Sequence, residues 1–261
     1  MEILEEEPPL ERKNRLLGFI DALFYPLSIS GGIHLAVFLF APFVVGMISR
    51  YVLSGFFILG GVLSLLLYLL YVGYVLYYLA YCIFDSSKGG WRAPDISLQP
   101  IADKGDLVSQ LLRVCGCFAV CFWPLAVYYI LTERADLVFW LLFVLGSFFL
   151  PMALLAGVLF DSFDSLNPIL IIRSIYKTFL PYCPLVPLFC IIDILVIRVI
   201  SNLPRPGSYL QVLGYGFLTV DYLCSKSFVY HTFPLFYLAM VAAHFLGRFY
   251  WWNKDKLNWG L

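Results

Sequence analysis

Six long apolar runs, set apart by short polar segments, dominate the chain. They cover 31–48, 52–84, 114–131, 137–160, 181–200 and 228–250. A helix needs about 20 apolar residues to cross the ~30 Å of hydrocarbon in a bilayer. Each run is long enough, so the pattern predicts an all-α, polytopic membrane protein of about six transmembrane helices. The second run is uncharged for 33 residues. At ~1.5 Å per residue it reaches about 50 Å, so it must tilt or project beyond the membrane. Residues 209–223 are also apolar, but the stretch is short and holds Asp221, Gly214 and Gly216. It is read as a surface or re-entrant piece.

Three shorter patterns point to the membrane interface. Leu16, Phe19, Ile20, Leu23, Phe24 and Leu27 repeat at helical spacing ahead of the first run. Further on, Asn167 can cap a helix and Pro168 suits its first position. In that helix Ile171, Ile172, Ile175, Tyr176 and Phe179 fall on one face. Arg173, Ser174, Lys177 and Thr178 fall on the other. A basic face opposite an apolar one describes a helix lying in the headgroup plane. Finally, Trp251, Trp252 and Trp259, with Lys254 and Lys256, form an anchor after the last run. The organisation expected is a cytoplasmic segment with an amphipathic helix at 1–30, one membrane domain at 31–252 and a cytoplasmic tail at 253–261.

Composition narrows the function classes. Hydrophobic residues make up 62% of the 261 and charged residues 13%, against roughly 25% charged in soluble domains. That excludes a soluble enzyme and a disordered chain. The 17 basic and 17 acidic residues cancel, so no global field recruits nucleic acid. Seven cysteines, an odd number lying mostly in apolar runs, do not form a disulfide framework.

The zero net charge conceals a sorting. With six spans and the N-terminus inside, the inner segments carry twelve basic residues. They are Arg12, Lys13, Arg15, Lys88, Arg92, Lys104, Arg113, Arg173, Lys177, Arg248, Lys254 and Lys256. The outer segments carry five: Arg50, Arg134, Arg198, Arg205 and Lys226. The positive-inside rule therefore puts both termini in the cytoplasm, with the chain multi-pass in the cell membrane.

Candidate chemistry is sparse. Asp193 stands in the middle of the fifth run, where an ionised carboxylate costs at least ~2.5 kcal/mol on insertion scales. It needs a partner or water. Arg198 is five residues on, about 140° around the helix, and direct pairing is awkward. Asp221 completes the set of candidate intramembrane polar residues. Tyr71, Tyr74, Tyr78 and Tyr81 share an arc of the second run and could line an aromatic groove. His34, His231 and His244 lack metal-ligand spacing, and no metal or cofactor is expected. No Gly-x-Ser-x-Gly, His-Glu-x-x-His or P-loop occurs. The expected activity is therefore non-enzymatic: membrane organisation or partner docking. A small transporter working through Asp193 is the alternative, and a lipid-modifying enzyme a distant third. Expected partners are the lipid bilayer and either a second copy or another membrane protein.

Several short motifs carry a family likeness. Gly73-Tyr74 ends a span, then Gly89-Gly90-Trp91 and Pro94-Asp95 follow in a loop. Leu166-Asn167-Pro168 opens the amphipathic helix. His244-Phe-Leu-Gly-Arg-Phe-Tyr250 and Lys256-Leu-Asn-Trp259 close the sequence. With these motifs the chain resembles a bacterial and archaeal family of multi-pass proteins of unknown function, distantly like the Yip trafficking proteins in span layout. The resemblance implies the span layout and no catalytic residue.

Overall fold

The computed structural model describes residues 22–51, 57–95, 104–160, 167–201, 226–257 and 259. Among these, all regular structure is helical. A 3-10 turn at Tyr25–Leu27 leads into α1 (Ile29–Tyr51), α2 (Phe57–Ser87), α3 (Lys104–Thr132) and α4 (Leu137–Leu159). There follow α5 (Pro168–Lys177), α6 (Phe179–Tyr182), α7 (Leu185–Ser201) and α8 (Lys226–Leu257). Among the described residues, six stretches are long and apolar enough to cross a membrane: Ile29–Ile48, Val62–Ser87, Leu111–Thr132, Leu137–Leu159, Phe179–Val199 and Thr232–Leu257. The architecture is that of an all-α polytopic membrane protein.

Local chemistry sets several boundaries. Asp136 caps α4, its carboxylate accepting from the Phe139 N–H at 3.1 Å. Asn167 caps α5, with Oδ1 accepting from the Ile169 N–H at 3.0 Å and Pro168 at the first helical position. These side chains satisfy backbone donors that a helix start leaves orphaned. The fifth span is interrupted at Cys183–Pro184, between α6 and α7, where proline has no N–H to give. Tyr182 stitches this break to the core by donating its hydroxyl to the Phe148 carbonyl of α4.

The helices do not bury themselves equally. In α8, 61% of the membrane stretch is buried, against 11% in α3. α8 is therefore the centre of the bundle and α3 its rim. α8 packs most intimately on α2, at Gly247. A Cβ there would lie 2.4 Å from the Ile83 carbonyl oxygen. In hydrocarbon, helices associate through close packing, and a missing side chain lets two backbones meet. α3 meets α4 in the same way at Gly146, where a Cβ would lie 2.9 Å from the Cys121 carbonyl oxygen.

Connectivity and contacts bring the start of α1, the ends of α2 and α4, α5 and the end of α8 to one end of the bundle. Ser30 bonds Pro94 there, and Trp259 bonds Ser174. α8 runs through Trp251 and Trp252 to Leu257. The tail set to begin at 253 is thus partly helix. The second helix is continuous from Phe57 to Ser87, and 52–56 lie outside the described residues.

Candidate functional site

A buried polar cluster forms where α1, α2 and α8 meet beside the 3-10 turn. On α2, Tyr78, Cys82 and Ser86 follow at intervals of four, so one face carries all three. Ser30 and His34 are likewise four apart on α1. His34 Nδ1 donates to the Ser30 carbonyl at 2.8 Å, and its ring stacks on Tyr78 at 4.0 Å between centroids. Across the cluster, His244 of α8 shares a 2.7 Å hydrogen bond between Nδ1 and the Ser86 hydroxyl. Its other face stacks on Tyr25 at 4.1 Å. Tyr78, Cys82 and Ser86 are each 0% exposed and His244 is 1% exposed.

Cys82 occupies the middle of this group, beside both phenols. Neither phenol hydroxyl makes a hydrogen bond of good geometry. Burial first, and Cys82 next, hold the Tyr25 phenol well above its usual range. Tyr25 is therefore a neutral donor at physiological pH. The arrangement is two imidazoles, two phenols, a thiol and two hydroxyls sealed from solvent.

The segment 88–95 lies over this cluster and is fastened at three points. Ser30 Oγ donates to the Pro94 carbonyl at 2.9 Å. Arg248 Nη1 donates to the Gly89 carbonyl at 3.2 Å. The Arg248 guanidinium also lies 3.8 Å from the Trp91 ring centroid and 5.5 Å from that of Trp252. Contacts of a cation with an aromatic face strengthen when desolvated, and Arg248 is 5% exposed. Gly89 takes φ +102°, a backbone region that disfavours side chains, and Trp251 packs 3.5 Å from where a Cβ would stand. The Gly89-Gly90-Trp91 motif and the His244–Tyr250 motif are thus neighbours in space.

Asp193 is buried where α4 and α7 cross. The Ser147 hydroxyl on α4 donates to Asp193 Oδ2 at 2.6 Å. Cys121 and Cys190 flank it. Arg198, proposed alongside Asp193, is exposed one to two turns further along α7. The partner bonded to Asp193 therefore comes from a neighbouring helix, which the spacing along its own helix did not reveal. Asp221 and the stretch 209–223 lie outside the described residues.

The tyrosine arc is largely closed. Tyr71 donates to the Phe38 carbonyl at 2.7 Å, and Tyr74 meets the Phe38 ring edge-on at 6.0 Å. Tyr78 is covered by His34. Only Tyr81 faces elsewhere, stacking on Tyr77 at 6.3 Å. What looked like a groove is filled by α1, because aromatic rings at i, i+3 and i+7 offer a ready surface for a neighbouring helix.

In α5 the division of faces differs from the two-sided pattern. Ile171, Ser174, Ile175 and Thr178 are buried against the bundle. Ile169, Ile172 and Tyr176 are exposed, as are Arg173 and Lys177. Ser174 and Thr178 join the packed face because their hydroxyls are satisfied. Thr178 Oγ1 donates to the Ser174 carbonyl at 2.8 Å, and Ser174 Oγ accepts from Trp259 Nε1 at 3.0 Å. Trp259, placed among the anchors, is turned inward and also packs on Phe160 and Tyr250. Trp251 is 38% exposed, and Trp252 is half-buried against Phe245.

The α1–α2–α8 cluster is what sequence reasoning missed. Its signal was present as polar residues four apart on otherwise apolar helices: Ser30 with His34, and Tyr78 with Cys82 and Ser86. Among the described residues, no group of three His, Cys, Asp or Glu side chains could hold a metal ion. No protein-family model, curated protein or solved structure matches this chain.

Proposed function

We propose that this is a non-enzymatic membrane protein that organises the bilayer around it or docks partners there, with both termini in the cytoplasm. The observation that carries this reading is the three-way division of α5. One side packs on the bundle, an adjoining arc presents Ile169, Ile172 and Tyr176, and the remaining edge presents Arg173 and Lys177. Leu180, in α6, extends the apolar arc and is 84% exposed. A helix gains from three such faces where protein, hydrocarbon and headgroups meet. The orientation is supported by charge. Lys88, Arg92, Arg113, Arg173, Lys177, Arg248, Lys254 and Lys256 fall at the α5 end, and Arg134 and Arg198 at the other.

The test is reconstitution into vesicles of phosphatidylcholine with phosphatidylglycerol, with lipid order read by Laurdan fluorescence. The intact chain should shift the spectrum relative to empty vesicles. Ile172→Gln with Tyr176→Gln, at two exposed sites, should reduce that shift at equal protein density. Identical spectra for the two proteins count against the reading.

The Asp193–Ser147 pair favours a second reading, a small transporter. Asp193→Asn keeps the size of the side chain and removes its charge. Loss of a proton or cation flux in vesicles with insertion preserved would support transport, and an unchanged flux would reject it.

A further inference from the structure

We propose that the outward edge formed by α5 and the end of α8 is a binding surface for acidic phospholipid headgroups. This deepens the membrane-organising reading and rests on it. Two elements distant in sequence build the edge. Trp259 Nε1 donates to Ser174 Oγ at 3.0 Å, which fixes the chain after α8 against α5. Arg173 adjoins Ser174, and Lys177 is one turn further on. On the other element, Lys256 and Lys254 flank the end of α8 from sides about 200° apart, Lys254 lying over Trp251. All four cations are exposed.

Two details select the partner. First, the charge is mainly basic, four cations against one carboxylate. Asp255, also exposed, is the acidic residue among the described side chains of these two stretches. Second, the cations border apolar surface rather than open polar surface. Lys254 Nζ lies 4.5 Å from the ring centroid of Trp251, and Arg173 and Lys177 adjoin exposed Ile172 and Tyr176. A free phosphate has no use for that apolar border. A phospholipid does, since its headgroup meets the cations while its chains cover Ile172, Tyr176 and Leu180. Basic side chains near a membrane surface draw anionic lipids in this way, by about fivefold per charge before screening.

The experiment purifies the full chain in mixed micelles with equal phosphatidylglycerol and phosphatidylcholine. Retained lipid is then counted by native mass spectrometry. The intact chain should retain phosphatidylglycerol in preference. The fourfold variant R173Q/K177Q/K254Q/K256Q should lower the preference at least tenfold, against an unscreened limit of about 600-fold for four charges, and raised salt should lower it in the intact chain. All four substitutions are at exposed positions, and circular dichroism checks that the variant remains helical. The single pairs R173Q/K177Q and K254Q/K256Q keep the test available should the fourfold variant fail to fold, each giving a partial loss. Equal retention of both lipids by the intact chain overturns the proposal. So does an unchanged preference in the variants, displacement of the lipid by millimolar inorganic phosphate, or a mass showing a second copy seated in place of lipid. If the preference is absent while the Laurdan shift persists, the headgroup site fails and the broader reading stands.

Discussion

Replacing Gly247 with alanine tests whether the contact between α2 and α8 is as close as backbone allows. The added methyl would lie 2.4 Å from the Ile83 carbonyl oxygen, 2.5 Å from Ser86 Cβ and 2.9 Å from the Ser87 nitrogen. Two of these are backbone atoms, which cannot rotate aside. Ordinary contact begins at 3.4 Å, so the helices must part by 3.4 − 2.4 = 1.0 Å at this level. The same movement would stretch the 2.7 Å bond between His244 and Ser86 to about 3.7 Å, beyond hydrogen-bonding range. Alanine gains about 1 kcal/mol in helix propensity. Over-packing costs about 1–3 kcal/mol, and stranding a buried polar pair costs about 1–3 kcal/mol more. The balance is a loss of roughly 3 kcal/mol, a fall of about 6–12 °C in Tm for a chain of this size.

The assay is thermal unfolding in detergent, followed with a thiol-reactive fluorophore, the signal being the rise above the early labelling of exposed Cys115 and Cys183 as buried Cys82 and Cys117 open. Gly32→Ala is the internal control. Its Cβ would meet nothing within 4 Å, so Tm should hold or rise by a degree or two. A Gly247→Ala protein as stable as the parent would refute the packing argument.

Three other outcomes follow from separate features. The Asp136 carboxyl is held below its usual range, first by the Tyr128 hydroxyl and then by the Phe139 N–H. A depressed value stabilises above the unfolded pKa of about 3.9, and the benefit disappears as pH falls through the lower folded value. Asp136→Asn should therefore flatten the decline of Tm below about pH 4, and superimposable acid limbs would contradict this. Arg248→Lys keeps the charge but loses the flat stack over Trp91 and Trp252, at a cost of about 1 kcal/mol. Trypsin should then cut faster at Lys88 and Arg92, and an unchanged rate would mean that Arg248 does not fasten the loop. Asn167→Ala removes the α5 cap, worth about 1 kcal/mol, so amide exchange should quicken in the first turn of α5 and nowhere else. Protection equal to the parent's would show the cap to be idle.

The spans were legible because hydrocarbon imposes a simple demand. Twenty apolar residues in a row need no partner to announce themselves, and Leu137–Leu159 is nearly identical in pattern and in structure. Boundaries governed by contact were less legible. Trp251 and Trp252 look like a terminus, yet α8 passes through them because Arg248, Asn253 and Leu257 are buried against the rest of the chain. Asn167 as a cap could be read locally, since it acts two residues away. Ser147 as the partner of Asp193 could not, since 46 residues separate them. The tyrosine arc misled for the same reason. Periodicity gives the face of a helix but not what covers it, and α1 covers Tyr71, Tyr74 and Tyr78.

α8 is the most buried of the six spans and also the last of them to be made. Its principal partner, α2, is the second. Throughout synthesis of α3 to α7, the Ser86 hydroxyl is without His244, its partner on a helix that has not yet left the ribosome. The centre of the bundle is thus complete only once α8, last of the six spans in the sequence, is in place. A chain that stalls before residue 226 leaves five crossings around a vacant centre, with the Ser86 hydroxyl facing the place His244 would fill.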